Sequence, residues 1–468
     1  MLLTAVAEST DQIVEPTLPP DAVRYDEEHP EELDEDMLYA TSAVLMEAKG
    51  GTVIFDKNGD QIMYPASTTK IMTVLLCLMM EEDLNQTVTI SETAMDIPSD
   101  SSTMGLTAGE EIPLIDLLYG TMMLSANEGA NAIAEVVSGS ISGFVDLMNQ
   151  TAEILGCTNT HFANPHGYHN ENHYTTAHDM AIIARAAMQN ETFREIVSCT
   201  SYEIGKTNIH RAHTITTRSR ILVAPTEESE NRYYYQYATG IKTGSHSMAG
   251  YCFVGSAEKD GVELISVVFY TSSSGRWTDT KKLFEYGFSQ YVSVTPIDLY
   301  NMNPISINLT NYSTSDKGMG VVDLNCSLAE GSTGVSITAT QEQVTTMARN
   351  LRNTVLIQYT RDFTAPVAAG EIMGTLTYFE DTGTAHVYNL TAARSVDERE
   401  NAPKTLEQII NEVESDPNPF PRLTPELVFN LLAPFAVLFL VIRLLRRLIR
   451  RRRKNRDRTP RPKSRYLK

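Results

Sequence analysis

The chain has 468 residues, of which 42% are hydrophobic and 21% charged, so it can bury a sizeable core and wholesale disorder is excluded. Its net charge of −21 is uneven, because residues 443–468 hold 14 Lys or Arg and one Asp, against 24 basic and 58 acidic residues in the rest. Such an acidic body repels phosphate backbones, which argues against nucleic-acid binding by the folded part. The five cysteines are widely spaced without a Cys-x-x-Cys pair, which argues against a disulfide framework and a structural zinc site.

Residues 1–36 are predicted to be the truncated remnant of a secretory signal followed by an acidic linker. The tripeptide Ala5-Val6-Ala7 has the small-x-small form of a signal cleavage site and comes soon after two leucines. Residues 8–36 are rich in Pro, Asp and Glu and lack apolar periodicity, which is typical of a solvated segment.

Residues 37–290 are predicted to form an α+β domain, in which an antiparallel sheet is flanked by helices and a helical subdomain is inserted between the strands. Hydrophobic alternation and helical spacing define the elements. In chain order they are strands at 42–47 and 52–55, helices at 68–80, 114–124, 127–138 and 177–188, a hairpin of 251–257 with 262–271, and a closing helix at 278–288.

Residues 291–396 are predicted to be a small β-rich accessory domain, because Val, Thr and Ile alternate there between glycine turns. Residues 397–426 follow as a linker with a short amphipathic stalk. The accessory domain and the stalk would connect the α+β domain to the apolar segment that comes next.

Residues 427–445 are predicted to be a transmembrane helix. Residues 427–442 contain no charge, and Arg443 can extend its side chain toward the headgroups. The arginine-rich residues 446–468 would be a cytoplasmic tail by the positive-inside rule, so the chain would be a single-pass protein of the cell membrane with the α+β domain outside the cytoplasm. An amphipathic helix lying in the membrane interface is the alternative, and both structures are anchors.

Ser67 and Lys70 form a Ser-x-x-Lys motif at the start of the first predicted helix. The i to i+3 spacing places the hydroxyl and the amine on one face, one turn apart. Backbone N–H groups at a helix N-terminus are unpaired and can stabilise an anion, and a desolvated lysine loses proton affinity and can act as a base. The motif alone is weak, since a capping serine beside a solvated lysine explains it as well.

Two further motifs contain side chains that can react or bind a ligand. Ser125-Ala126-Asn127 lies at the junction of two predicted helices, where a helix cap explains it equally. Lys242-Thr243-Gly244 lies on a predicted strand, where an exposed strand end explains it equally. The three motifs in this order, each in a fitting structural context, are far more specific together than any one of them alone.

With these motifs the chain resembles the penicillin-binding D-alanyl-D-alanine carboxypeptidases, the low-molecular-mass group that trims peptidoglycan. The resemblance runs from about Ser42 to Phe288, and residues 365–374 are more loosely similar to the accessory domain of that family. It implies a β-lactamase/transpeptidase-like fold that uses no cofactor and no metal. It also implies peptidoglycan stem peptides as substrates and β-lactams as covalent inhibitors.

The resemblance implies a role for each residue of the first two motifs. Ser67 would attack the carbonyl of a terminal D-Ala-D-Ala and form an acyl-enzyme, with Lys70 as general base. Ser125 would relay a proton to the leaving amine, and Asn127 would position Lys70 and the substrate amide.

The third motif is implied to bind the substrate. Lys242 and Thr243 would hold the terminal carboxylate, and Gly244 would complete the motif. The oxyanion hole would consist of the backbone N–H groups of Ser67 and Ser245. Arg276 would add to the electrostatics at the carboxylate, although a surface arginine near a helix start explains it equally.

The chain departs from the family pattern at two positions. Ser245-His246 follows the third motif, where many members carry a bulky residue and then Thr. Ala126 stands in the middle of the second motif, where Gly is common; Ala keeps the geometry wherever the backbone there is ordinary.

Four alternative functions stay open at this point. A serine β-lactamase would need a carboxylate that activates the deacylating water, for which Glu128 and Glu171 are available. A D,D-endopeptidase would use the same fold, and an inactive membrane-anchored protein would only bind the cell wall. A zinc peptidase is the weakest alternative, because the histidines at 166, 169, 173, 178, 210 and 213 include no His-Glu-x-x-His motif.

Overall fold

The computed structural model describes residues 13–20, 22–227, 229–380, 382–400, 410–411, 441–444 and 446–447. The predicted signal remnant lies outside the described residues, as do nearly all of the predicted stalk, transmembrane helix and basic tail. In the part of the chain that is described, no helix has both the length and the apolar character needed to cross a membrane.

The described strands fall into the following order along the chain. They are β1 (Ser42–Glu47), β2 (Val53–Lys57), β3 (Thr87–Thr89), β4 (Glu111–Pro113), β5 (Ser201–Ile204), β6 (His213–Thr216), β7 (Ala238–His246), β8 (Gly250–Lys259), β9 (Val262–Thr271), β10 (Tyr291–Val294), β11 (Ser306–Asn308), β12 (Val321–Leu328), β13 (Ile337–Thr340), β14 (Leu356–Tyr359), β15 (Ile372–Phe379) and β16 (Ala385–Ala392).

The helices occupy two stretches, one between β2 and β9 and one beyond β9. They are α1 (Lys70–Met80), α2 (Leu114–Met123), α3 (Asn127–Ser138), α4 (Ile141–Ile154), α5 (Ala177–Ala187), α6 (Glu191–Ser198), α7 (Gly275–Gln290), α8 (Pro296–Met302) and α9 (Gln341–Thr354). Short 3-10 turns cover Pro30–Glu32, Glu35–Met37 and Ala66–Thr69.

The chain packs into two compact units. Of the described residues, those up to 308 and those in 321–363 and 367–395 form the first, and those in 309–320, in 364–366 and from 396 onward form the second. Within the second unit, Thr310 forms a parallel bridge with Thr364, and Tyr312 an antiparallel bridge with Glu398.

The central sheet of the first unit has the order β2-β1-β9-β8-β7, and every neighbouring pair is antiparallel. The chain enters the sheet by its first two strands, forms α1 to α6 and two small hairpins, and returns by β7. This arrangement confirms the predicted α+β fold with an antiparallel sheet and an inserted helical block. It leaves β7 at an edge of the sheet, which is the edge where the site lies.

Helices cover both faces of the central sheet. Along β1, Val44 packs into one apolar cluster with α1 to α6, whereas Ala43 and Leu45 pack into a second cluster with α7. Alternate residues of a strand point to opposite faces, so a strand covered on both sides must be apolar throughout. This is why the sequence of β1 reads as a continuous apolar run rather than an alternating one, and all six of its residues are buried.

Most residues of the second half of the predicted acidic linker are exposed, but Leu33 packs against the folded domain. Leu33 is 8% exposed and lies in the cluster that also contains Trp277 of α7. Lys282 of α7 donates a hydrogen bond of 2.6 Å from Nζ to the carbonyl oxygen of Met37. The apolar residues of this segment follow neither a helical nor a strand period, so the sequence carried no signal for this packing.

The C-terminal part of the first unit contains a second antiparallel sheet, with the order β11-β12-β16-β15-β14. It also contains α8 and α9, which the sequence analysis did not predict. The signal for α9 was present, because Val344, Ala348 and Leu351 are buried at helical spacing and Thr340 forms a capping box with Gln343. This helix was not predicted because the alternating Val, Thr and Ile residues around it favour strands.

Gly167 fixes the distance between the loop after Phe162 and the turn before α1. Its φ is +82°, and a Cβ atom at this position would lie 1.8 Å from the carbonyl oxygen of Ala66. Gly156 has a similar φ of +86°, but nothing lies within 4 Å of the corresponding Cβ position. Comparing an alanine substitution at Gly167 with one at Gly156 therefore separates the cost of a left-handed backbone from the cost of a steric clash.

We expect Gly167→Ala to lower the free energy of unfolding more than Gly156→Ala does. Both changes carry the cost of about 1–2 kcal/mol for a left-handed non-glycine residue, but Gly167→Ala adds the displacement of the Ala66 carbonyl. Denaturant unfolding followed by the fluorescence of Trp277, the single tryptophan, measures both. Equal losses of stability in the two variants would contradict the close approach.

Candidate active site

Ser67 lies in the 3-10 turn Ala66–Thr69, immediately before α1 begins at Lys70. Two hydroxyls fix this turn: Thr68 Oγ1 donates to the carbonyl oxygen of Pro65 at 2.7 Å, and Thr69 Oγ1 to that of Ala66 at 2.8 Å. Ala66 has a φ of +49°, which is uncommon for a residue with a side chain and signals a strained backbone. The serine is thus held at a helix N-terminus by its neighbours rather than by its own hydroxyl.

Lys70 is fully buried and joins three segments of the chain. Its Nζ lies 3.2 Å from Ser67 Oγ, 2.7 Å from Asn127 Oδ1 and 2.7 Å from the carbonyl oxygen of His166. Ser67 and Lys70 therefore share one helical turn as the spacing predicted, and Asn127 comes to the same point from a distant motif.

The environment of Lys70 favours its neutral form. Burial lowers its pKa well below the ordinary value, and the positive charges of Lys242 and Arg218 lower it further. Glu128 acts in the opposite direction, but more weakly than burial and Lys242. An amine that is hard to protonate, beside a serine hydroxyl, is an arrangement suited to proton abstraction.

The second motif connects α2 to α3. Ser125 has a φ of +64°, and within the described structure its buried hydroxyl has no hydrogen-bond partner. Asn127 donates from Nδ2 to Ser101 Oγ at 3.0 Å, which fixes its Oδ1 toward Lys70. The asparagine is satisfied on both sides, whereas the serine has a hydroxyl available to a ligand.

The third motif lies on β7, which passes directly over the turn that holds Ser67. A Cβ atom at Gly244 would lie 2.9 Å from the carbonyl oxygen of Pro65 and 3.1 Å from the backbone nitrogen of Ser67. Only a residue without a side chain permits this approach. Thr243 and Ser245 stand on either side of Gly244 and line the same cleft.

Arg218 and Arg276 line this cleft, and the buried Lys242 lies close enough to both for their charges to act on it. Burial lowers the pKa of Lys242 to about 7, and the charges of Arg218 and Arg276 contribute to the shift. Burial likewise lowers the pKa of Arg276, which packs against the rings of Tyr251 and Trp277. Cations that repel one another in a desolvated site favour the binding of an anion, because the anion relieves their repulsion.

Arg218 was not predicted from the sequence. It follows the short strand β6 and donates from Nη1 to Ser102 Oγ at 2.8 Å. No local motif marks this arginine, and only the tertiary structure places it beside residues more than 90 positions away along the chain.

The cleft has a volume of about 180 Å³. Six of its eight lining residues were predicted as site residues, whereas the predicted Lys70, Asn127 and Lys242 are buried and do not line it. The lining residues are Ser67, Ser102, Ser125, Arg218, Thr243, Gly244, Ser245 and Arg276. None of these eight carries a carboxylate.

The two carboxylates considered for a deacylating water lie elsewhere. Glu128 is fully buried, and its Oε1 accepts hydrogen bonds from the backbone nitrogens of Met104 and Gly105 at 2.7 and 3.2 Å. Glu171 is exposed on a loop. Neither lines the cleft.

The histidines near the site have structural partners. His173 is buried, with Nε2 at 2.8 Å from Thr69 Oγ1 and Nδ1 accepting from the backbone nitrogen of Ala163 at 3.1 Å. Burial lowers the pKa of both His173 and His166 to about 3, so both rings are neutral. In the described ranges, no three His, Cys, Asp or Glu side chains are grouped to hold a metal ion.

Comparison with protein families and known proteins shows what this arrangement is similar to. The family model for D-alanyl-D-alanine carboxypeptidases matches residues 29–273, which is more than half of the chain. This range includes all three motifs and Arg218 and ends just before Arg276.

Individual relatives agree with this match. The D-alanyl-D-alanine carboxypeptidase DacF of Bacillus subtilis is 34% identical over 257 residues, which cover 54% of this chain and 63% of that protein, slightly less than two thirds of its length. The DacA carboxypeptidase of Haemophilus influenzae is 29% identical over 77% of this chain and 86% of its own length. The crystal structure of penicillin-binding protein 5 from H. influenzae superimposes with a TM-score of 0.51 at 28% identity, covering 78% of this chain and all of that one.

The low pKa of Lys242 makes the stability of the protein depend on pH. The pKa is about 7 in the folded state and near its ordinary 10.5 in the unfolded state, so between these values the unfolded state binds more protons. The free energy of unfolding should therefore rise with pH across this window. Below the folded pKa, the full cost of burying the charged amine is present.

We expect Lys242→Met to remove this dependence, because the variant has no amine to protonate. Relative to Lys242→Met, the wild-type protein should gain on the order of 4 kcal/mol between pH 7 and pH 10. Denaturant titrations of both proteins across this range provide the measurement. Parallel pH profiles would show that Lys242 keeps an ordinary pKa.

Proposed function

Because the chain belongs to the D-alanyl-D-alanine carboxypeptidase family of serine hydrolases, we propose that it removes the terminal D-Ala from peptidoglycan stem pentapeptides through an acyl-enzyme on Ser67. The observation that carries the proposal is the contact between Ser67 and a buried Lys70 whose pKa is lowered. Lys70 is the general base in this proposal, and the geometry supports the role as follows.

A neutral amine has two N–H donors and one lone pair. Two of the three neighbours of Lys70 Nζ, the Asn127 Oδ1 and the His166 carbonyl oxygen, can only accept hydrogen bonds. They therefore take both donors of the neutral amine, and its lone pair is left for the hydroxyl proton of Ser67. Asn127 orients the base in this way without touching the proton that moves.

Acylation then proceeds with a balanced transfer of one proton. The Ser67 oxygen bonds to the carbonyl carbon of the penultimate D-Ala as its proton passes to Lys70. The bond to the terminal D-Ala nitrogen breaks, and the proton that Lys70 received passes to that nitrogen through the hydroxyl of Ser125, which has no hydrogen-bond partner among the described residues. Water later attacks the ester, which releases the shortened peptide and restores the serine.

The cleft attracts the negative charge of the substrate's terminal carboxylate. Lys242 and Thr243 hold the terminal carboxylate, and the charges of Arg218 and Arg276 strengthen the attraction. Since the pKa of Lys242 is about 7 in the empty site, a bound carboxylate raises it and keeps the amine charged. The backbone N–H groups of Ser67 and Ser245 form the oxyanion hole, and the close approach of Gly244 to the Ser67 nitrogen supports this pairing.

The same geometry weighs against two alternatives. A serine β-lactamase needs a carboxylate to activate water, and the residues that line this cleft include none. An inactive wall-binding protein has no need for a strained nucleophile turn or a buried lysine, yet both are present. The carboxypeptidase reaction uses Ser67, Ser125 and Thr243, which all line the cleft.

We further propose that residues 427–445 anchor the protein in the cell membrane as a single helix, with the active site outside the cytoplasm and residues 446–468 inside. The sixteen uncharged residues 427–442 and the 14 Lys or Arg from Arg443 onward support this proposal. A peptidoglycan substrate is located outside the membrane, so the proposed orientation and the proposed reaction agree.

Replacing the proposed nucleophile tests the reaction. We expect Ser67→Ala to lose all covalent labelling by a fluorescent penicillin and all release of D-Ala from a pentapeptide that ends in D-Ala-D-Ala. The matched control is Ser198→Ala, which removes an exposed hydroxyl at the end of α6 and should keep both activities. Persistent labelling of Ser67→Ala would locate the nucleophile elsewhere, and rapid turnover of penicillin without D-Ala release would identify a β-lactamase.

Extraction from membranes tests the anchor. We expect the full chain to stay with the membrane fraction in alkaline carbonate, because a spanning helix is not displaced by loss of electrostatic attraction. A chain that ends at residue 426 should be soluble, and one that ends at residue 445 should stay in the membrane. Release of the full chain by carbonate would favour an interfacial helix instead.

A further inference from the structure

Three rings that the reaction does not use lie together beside the segments that form the cleft. Tyr64 and His169 meet edge to face with centroids 4.9 Å apart, His169 and His246 are 5.3 Å apart, and Tyr64 and His246 are 6.4 Å apart. All three are partly exposed. We refer to Tyr64, His169 and His246 as the ring cluster.

The ring cluster is built from the segments that build the active site. Tyr64 precedes the turn that holds Ser67, and His169 follows the loop that carries Gly167. His246 ends β7 and lies on the same face of that strand as Lys242 and Gly244, because side chains alternate along a strand. The cluster therefore lies at the end of β7 beyond Ser245, away from Lys242 and Thr243.

The direction of β7 identifies the part of the substrate that reaches the cluster. β7 is an edge strand, so an extended peptide can lie along its free side. In the proposed reaction the substrate carboxylate lies at Lys242 and Thr243 and the scissile carbonyl at Ser245. The residue that precedes D-Ala-D-Ala then lies beside His246.

The charge state of the cluster defines the chemistry that it can recognise. His246 accepts a hydrogen bond at Nδ1 from the backbone nitrogen of Ala249 at 3.1 Å, and burial lowers its pKa to about 4, so the ring is neutral. His169 Nδ1 is buried and, among the residues that the structure describes, has no hydrogen-bond partner. Neutral aromatic faces attract a cation, and an unsatisfied imidazole nitrogen accepts a hydrogen bond from one.

We propose that the ring cluster binds a free ammonium group on the side chain of the residue that precedes D-Ala-D-Ala, and that it thereby makes the enzyme prefer stem peptides whose side-chain amine is not acylated. The inference rests on the proposed function, since it places a substrate in the cleft. Its consequence is selectivity for peptides that have not been cross-linked through that amine.

Three peptides of equal length test the preference: acetyl-X-D-Ala-D-Ala, where X is lysine, Nε-acetyl-lysine or norleucine. The norleucine side chain matches the lysine stem but lacks the amine. We expect kcat/KM for D-Ala release to be about three- to thirty-fold higher for the lysine peptide than for the other two, which is the range for one cation–π contact. Equal values for lysine and norleucine would overturn the proposal.

Variants of the cluster assign the preference to its rings. Tyr64→Leu removes an aromatic face and should reduce the lysine-to-norleucine ratio toward one, whereas Tyr64→Phe keeps the face and should retain the ratio. Should Tyr64→Leu fail to bind fluorescent penicillin, His246→Asn is the second variant, because an amide oxygen can replace Nδ1 as the acceptor for Ala249. A ratio that stays at its wild-type value in a penicillin-binding variant that lacks a ring would overturn the proposal.

The same assay distinguishes the failure of this inference from that of the proposed function. If none of the three peptides releases D-Ala, the carboxypeptidase function itself is wrong and the inference falls with it. If all three are cleaved at one rate, the function stands and only the ammonium site is wrong.

Discussion

The hydrogen bonds of Lys70 are the interaction on which the rest of the site depends. A fully buried amine requires partners, and this one finds them on three segments that are far apart in the chain: its own helical turn, the start of α3 and the loop at His166. Leaving any of these acceptors unpaired would cost on the order of 1–3 kcal/mol, so the amine also holds the segments together. Structure and reactivity here have a single cause, because the burial that demands the partners also lowers the pKa of the amine.

Close backbone packing complements this polar junction. Gly167 and Gly244 approach the turn around Ala66 and Ser67 from two sides, each at a distance that a side chain would prevent. Between them they fix a turn whose own backbone is strained at Ala66. Strain of this kind persists only when the surroundings determine it, and it keeps the serine oxygen in one place before any substrate arrives.

The cleft also shows how charge is divided over the protein. The body is strongly acidic, yet Lys242, Arg218 and Arg276 meet where the substrate carboxylate is proposed to lie. Repulsion among these cations destabilises the empty site, and an anionic ligand relieves it. Tyr64, His169 and His246 group at the C-terminal end of β7, where burial lowers the pKa of His246 to about 4 and leaves that ring uncharged, so the two ends of the proposed substrate path differ in the charge that they favour.

The sequence by itself determined part of the secondary structure and the chemistry of the three motifs. Hydrophobic periodicity is a local property, so it predicted β1, α3 and β9 with their observed bounds, and the three motifs named the serine, lysine and asparagine that the structure brings together. Only the tertiary structure decided which further residues join them. Arg218, the ring cluster and the packing of Leu33 depend on contacts between distant segments, and no local pattern encodes such contacts. The start of α1 likewise moved from the predicted residue 68 to Lys70, because packing against β7 and the Gly167 loop holds the preceding residues in a 3-10 turn.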